Sequence, residues 1–317
     1  IGMIQKGINA AGITGISPVE AYVKSIPFNL YSIFTLCFVG ILMFNGKDFG
    51  PMLLSEKRAL TENKFVRDGA EPMMNVGSEL GEPKKDKPMV LTFVLPIVCT
   101  LGVILFGLYW TGREGVGLMG ILENADASTA LLWGSFTMAV VGIIIALTTK
   151  IMDFKETMDT LLDGFKLMIL TAVILVMAWS LSGITIEMGL ADYIVAKVGD
   201  NINFGFLPII IFILAMLMSF ATGTSWGTMA IITPVAIPLA YKITGDVNIA
   251  VSMSGIVITG AIFGDHTSPI SDTTVMASMF SGADHMDHVK TQLPYALLVA
   301  FVSLAMFLLY SFLGVQP

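Results

Sequence analysis

The sequence predicts an all-α polytopic membrane protein of about eight transmembrane or half-transmembrane helices, some of them discontinuous or re-entrant near mid-membrane. Three observations predict it. Of the 317 residues, 55% are hydrophobic and only 13% charged, and mean hydropathy is +0.81, outside the range of soluble globular chains. Apolar runs long enough to cross a hydrocarbon core recur along the chain. Several of them are interrupted by glycine, proline and hydroxyl residues, and irregular backbone at membrane depth survives only where it faces protein or water.

Taken in order, Ser17-Pro18-Val19-Glu20 has the form of a capping box with proline at the first helical position; it predicts a short helix lying at the membrane interface. Residues 26–45 are the first full span. Residues 46–88 form a polar stretch containing Lys47, Lys57, Arg58, Lys64, Arg67 and three further lysines, which the positive-inside rule places in the cytoplasm as a solvated loop. Residues 89–110 run outward and end in the interfacial pair Tyr109-Trp110. The connection 111–129 carries Glu114, Glu123 and Asp126 and faces outside, and 130–148 returns to Lys150. Met158, Leu161, Leu162 and Phe165 recur at helical spacing opposite Lys155, Asp159 and Asp163, an amphipathic entry along the cytoplasmic surface. Residues 167–181 lead to Trp179-Ser180-Leu181-Ser182-Gly183, read either as a second interrupted element or as close helix packing on small residues. Glu187 and Asp192 follow on the outer side. Residues 204–221 are apolar and meet Thr222-Gly223-Thr224-Ser225-Trp226-Gly227-Thr228, with a half-helix beyond. Residues 247–263 enter the central motif, 275–280 leave it, and 293–313 form the last span.

Composition also excludes. The formal charge of −7 lies mostly in loops, and no basic patch of the kind nucleic acid requires is present in the sequence. Cys37 and Cys99 both fall in apolar spans, too few for a disulfide framework, and read as buried apolar thiols. The 21 methionines and 20 phenylalanines read as lipid-facing and core filler. The chain begins at Ile1 without a signal peptide and is expected to be a single transmembrane domain, residues 1–317, from the C-terminal part of a longer protein.

The chemistry concentrates in residues 263–274, FGDHTSPISDTT. A carboxylate at membrane depth is costly and marks function, and here Asp265 and Asp272 occur seven residues apart. Pro269 cannot donate to the carbonyl four residues back, and Ser268-Pro269 reads as an N-cap followed by proline at the first helical position. The expectation is a helix that breaks at Gly264 and restarts at Ser268, its free carbonyls and two carboxylates forming a cation site. Oxygen ligands suit a hard cation such as Na+. Two neighbouring carboxylates in low dielectric cannot both ionise cheaply, so a proton held by one competes with the cation. Ser268, Ser271, Thr273 and Thr274 either add neutral oxygens or cap the restart. Thr222, Thr224 and Ser225 either close the site from the other broken element or bond their own backbone. His266 either relays protons or makes a structural hydrogen bond. His285 and His288 lie among Asp284 and Asp287 at a spacing that zinc can use, but no cysteine or further histidine is near in sequence, and a solvated junction is the expectation.

These residues resemble the C-terminal half of the NhaC-type Na+/H+ antiporter family, within the ion transporter superfamily. The resemblance is carried by GDHTSPISDTT at 264–274, ATGTSWGTMAIITP at 221–234, HVKTQLPY at 288–295, and DFGPM at 48–52 with Arg58-Ala59. It implies a non-enzymatic secondary transporter in a bacterial cell membrane, exchanging Na+ for H+ by alternating access, with no prosthetic group. Its expected partners are the bilayer, the N-terminal half of the same protein and a second copy. The family also has relatives similar to Na+- and H+-coupled malate/lactate exchangers, which keeps an organic-acid antiporter as the alternative. An intramembrane aspartyl protease, the remote alternative, needs a G-x-G-D motif and a second aspartate on another helix. Residues 260–265 instead read GAIFGD, and both aspartates lie on one stretch.

Overall fold

A computed structural model describes residues 1–72, 90–188 and 204–313, and every regular element among them is helical. Residues 73–88 of the polar stretch and Asp192 lie outside the described residues. The chain packs as two compact units, Ile1–Asn75 with Leu170–Pro317, and Val76–Ile169. Among the described residues, six stretches are long and apolar enough to cross a membrane, with Leu207–Thr222 a shorter apolar helix.

The first unit begins with α1 (Gly2–Ala10), α2 (Pro18–Ser25), a 3-10 turn (Ile26–Phe28), α3 (Leu30–Asn45) and α4 (Gly50–Glu62). Ser17 caps α2 by accepting from the Glu20 N–H at 3.1 Å, with Pro18 in the first turn, as the sequence predicts. The helix is not a free interfacial one, because Val19, Ala21 and Ser25 are buried and α2 packs on the helix that runs from Val247 to Thr267. α3 exposes Leu36, Met43 and Phe44, as expected of a surface bathed in lipid. α4 replaces the irregular loop expected directly after residue 46. Cys37 on α3 is exposed rather than buried.

The second unit holds α5 (Val90–Gly112), α6 (Gly117–Asn124), α7 (Ala127–Thr148) and the first part of α8 (Phe154–Glu187). α5 packs on α7 through small residues: a Cβ on Gly107 would stand 2.9 Å from Ala130, and one on Gly134 would run into Ile104. Close backbone approach of this kind is how helices associate where lipid removes the hydrophobic drive. Asp126 caps α7 through the Thr129 N–H, and the Arg113 guanidinium lies 4.2 Å over the Trp110 ring. α8 is continuous helix through Trp179–Gly183, so the interruption considered there is absent.

The first unit resumes with a 3-10 turn (Phe204–Phe206), then α9 (Leu207–Thr222), α10 (Ser225–Thr244), α11 (Val247–Thr267), α12 (Asp272–Phe280) and α13 (His285–Leu313). α11 is the axis of this unit: most of its residues are buried, and α9 and α10 make its largest interfaces. Gly260 and Gly264, four apart, let α9 lie against it. A Cβ on Gly260 would stand 2.5 Å from the Phe212 carbonyl, and one on Gly264 would strike the Met216 carbonyl and stand 2.5 Å from the Phe220 N–H. α1 packs on α10, with Gly7 against Ile237 and the Thr233 carbonyl. Thr259 ties α11 to the first 3-10 turn by donating to the Phe28 carbonyl at 2.9 Å.

Candidate ion-binding site

Two interruptions of the helical chain meet beside the end of α11. Between α9 and α10 only Gly223 and Thr224 are non-helical; Gly223 adopts φ +66°, and a Cβ there would stand 2.7 Å from the Ile270 carbonyl. Between α11 and α12 the non-helical residues are Ser268 to Ser271. The break therefore comes four residues later than the sequence suggests. Gly264 is not the breaker, because α11 runs through it and ends at Thr267. Ser268 is the C-cap of α11, Pro269 lies in the connecting turn, and Ser271, not Ser268, holds the N-cap position of α12.

Asp265 is the buried acid of the site, 8% exposed. The Ser225 hydroxyl, on the first residue of α10, donates to Oδ2 at 2.7 Å. The Ser271 hydroxyl donates to Oδ1 and also meets Thr273 Oγ1 at 2.9 Å. Ser271 makes no capping bond to its own helix. The carboxylate thus receives one hydroxyl from each restarting helix, and the N-terminal ends of two helix dipoles face it. Asp272 is half-buried and accepts from the Thr273 N–H at 2.7 Å.

The other candidate residues divide. Thr224 caps α10 through the Gly227 N–H, and Thr222 bonds back to the Met218 carbonyl, so both serve their own helices. Ser268 donates to the Phe220 carbonyl at 2.7 Å, which locks the second break to α9. Thr274 donates to the carbonyls of Asp265 and His266 at 3.4 and 3.2 Å. The end of α11 therefore does not leave the Gly264, Asp265 and His266 carbonyls free. Its last turn is occupied by Thr274, by Gln292 of α13, which donates to the His266 carbonyl at 2.7 Å, and by the Ser268 N–H on the Gly264 carbonyl. The His266 ring is hydrogen-bonded through Nδ1 to the Tyr31 hydroxyl at 2.7 Å.

Tyr31, Gln292 and His285 join the site in roles the sequence does not predict. Gln292 lies in the HVKTQLPY stretch and His285 in the zinc-spaced cluster, but neither position points to the end of α11. His285 Nε2 donates to the Pro269 carbonyl at 2.6 Å and Nδ1 meets Ser278 Oγ at 2.9 Å, pinning the connecting turn to the start of α13. Among the described residues no group of three or more His, Cys, Asp and Glu is placed to hold a metal ion. Asp284 accepts from the N–H groups of Asp287 and Glu71. Those bonds, then the Arg67 guanidinium, hold its carboxyl below the usual carboxylate range.

The chain matches the Na+/H+ antiporter family over residues 1–315. It is 31% identical over 295 residues to an uncharacterised protein of Haemophilus influenzae, covering 91% of this chain and 54% of that one. It is 31% identical over 164 residues to the malate-2H+/Na+-lactate antiporter of Bacillus subtilis (51% and 33%). It is also 31% identical over 211 residues to the arginine/ornithine antiporter ArcD of Halobacterium salinarum (64% and 39%). The chain thus spans about half the length of the first of these relatives and less of the other two. No solved structure matches.

Proposed function

Because the chain belongs to the Na+/H+ antiporter family and is a multi-pass protein of the cell membrane, we propose that the protein exchanges Na+ for H+ by alternating access, with Asp265 as the group that carries either ion. The observation that supports this most is the pair of serine hydroxyls, from two different helix starts, converging on one buried carboxylate. A hydroxyl is donor and acceptor at once. Ser225 and Ser271 donate to Asp265. When Na+ arrives, the same oxygens rotate their lone pairs toward it and complete an oxygen shell of the kind a hard cation prefers. A proton on Asp265 competes for the same place, because a protonated carboxyl donates to one serine and loses its charge. Asp272, adjoining through Ser271 and Thr273, supplies the second carboxylate, and neighbouring acids favour retention of one proton between them.

Among the described residues, none of the side chains that hydrogen-bond Asp265, His266 or Asp272 is a lysine or arginine. That favours a plain cation over an organic acid as the solute at this site. The test is 22-sodium uptake into proteoliposomes of the full-length protein against an imposed pH gradient, with and without malate or lactate. Uptake driven by the gradient alone supports the reading. A strict requirement for the organic acid would replace it with the coupled exchanger.

A further inference from the structure

A cavity of about 410 Å3 lies in the first unit between α3, the start of α4, the end of α11 and α13. It reaches the Tyr31–His266 hydrogen bond on one side and Asp48 on the other. Of the residues lining it, Asp48 is the one carboxylate and none is lysine or arginine. Asp48 Oδ1 accepts from the Tyr295 hydroxyl at 2.7 Å, and Glu56 of α4 lies near Asp48. Arg58, on the same helix as Glu56, is turned to the carbonyls of Lys64 and Phe65.

Aromatic rings stand around this carboxylate. Tyr295 stacks on Phe49 with centroids 4.4 Å apart, and Phe38 lies 5.8 Å from Tyr295. Phe38 and Tyr295 both line the cavity. Thr35 lines it too. The remaining wall is mostly aliphatic, with Leu42, Met52 and Val299. The volume falls within the usual range for small-molecule sites, about 300–1,000 Å3.

The ligand follows from these groups. An organic anion would meet Asp48 with no counter-charge. A bare metal ion would leave the aliphatic wall unused. An alkylammonium satisfies each part: its charge pairs with Asp48, ring faces attract it, and its carbon chain covers the apolar wall. We propose that this cavity is a binding site for a small organic ammonium, with Asp48 as counter-charge and Phe38 and Tyr295 as the aromatic walls. The proposal does not rest on Na+ binding at Asp265.

The experiment is isothermal titration of the full-length protein in nanodiscs with n-butylammonium chloride at fixed Na+ and ionic strength, and with sodium butyrate as the anionic counterpart. Saturable binding of butylammonium and none of butyrate is expected. Asp48→Asn keeps an acceptor for Tyr295 but removes the charge, and should weaken binding about tenfold or more, a hydrogen bond to a charged group being among the stronger ones. Phe38→Leu should weaken it by about threefold or more through the lost ring face. Asp265→Asn should leave it unchanged while abolishing Na+ exchange, which separates the two sites. Absence of saturable butylammonium binding overturns the proposal, as does equal affinity in Asp48→Asn. Should Asp48→Asn fail to fold, unchanged affinity in Phe38→Leu overturns it instead.

Discussion

Asp265 is distinguished from Asp272 by its surroundings. Both are acids in the same motif, yet Asp265 is buried and receives two serine hydroxyls, whereas Asp272 is half-buried and accepts from the next residue's N–H. Asp265→Asn should therefore abolish pH-driven 22-sodium uptake in protein that still purifies as a monodisperse peak. Asp272→Asn should retain exchange with a shifted pH profile, since the neighbouring charge is removed. Ser225→Ala leaves the carboxylate with one hydroxyl and should raise the Na+ concentration for half-maximal uptake about tenfold, a charged hydrogen bond being worth about 1.5–3 kcal/mol. Unchanged Na+ dependence in Ser225→Ala would remove that residue from the site. The identity of the acids was legible in the sequence because charge in an apolar run is rare. Which hydroxyls reach them was not, because a threonine near a bend can equally bond its own helix, as Thr222 does.

At the scale of the element, hydropathy located the long apolar helices but not α4 or α6, and the position of the central break was misjudged for a physical reason. Glycine inside a helix costs about 1 kcal/mol relative to alanine, so Gly264 looks like a breaker when its neighbours are ignored. Its actual use is close approach: it and Gly260 admit the backbone of α9 against α11, and that packing offsets the cost. Only the tertiary contact reveals this. α1 was likewise missed, since its nine residues are too short to show periodicity and are held by α10 rather than by propensity. Gly264→Val should separate α9 from α11, lowering stability by about 1–3 kcal/mol as overpacked cores do. A fluorescence melt in detergent reads this as a fall in Tm, and a melt equal to that of the parent protein would show that the contact is not tight.

For the molecule as a whole, the crossing of the membrane can be tested within the second unit alone. α7 runs from Ala127 to Thr148 as one apolar helix, so Ser128 and Lys150, both exposed at its ends, belong on opposite sides of the bilayer. The positive-inside rule puts Lys150 in the cytoplasm. In a background lacking Cys37 and Cys99, Ser128→Cys should react with an impermeant maleimide added outside intact cells, and Lys150→Cys only after permeabilisation. Labelling of both from one side would refute the crossing.

The carbonyls at the end of α11 have a further consequence, for speed. Thr274 and Gln292 hold the Asp265 and His266 carbonyls from two different helices, so any movement that opens this end must first unfasten them. An oxygen left without a donor in a dry site costs about 1–3 kcal/mol, a toll on the barrier between conformers rather than on the resting ion site. Gln292→Leu removes one fastening from a group that never touches Asp265. It should alter the maximal rate of sodium uptake by about fivefold or more through that barrier, while the sodium concentration giving half that rate stays where it was.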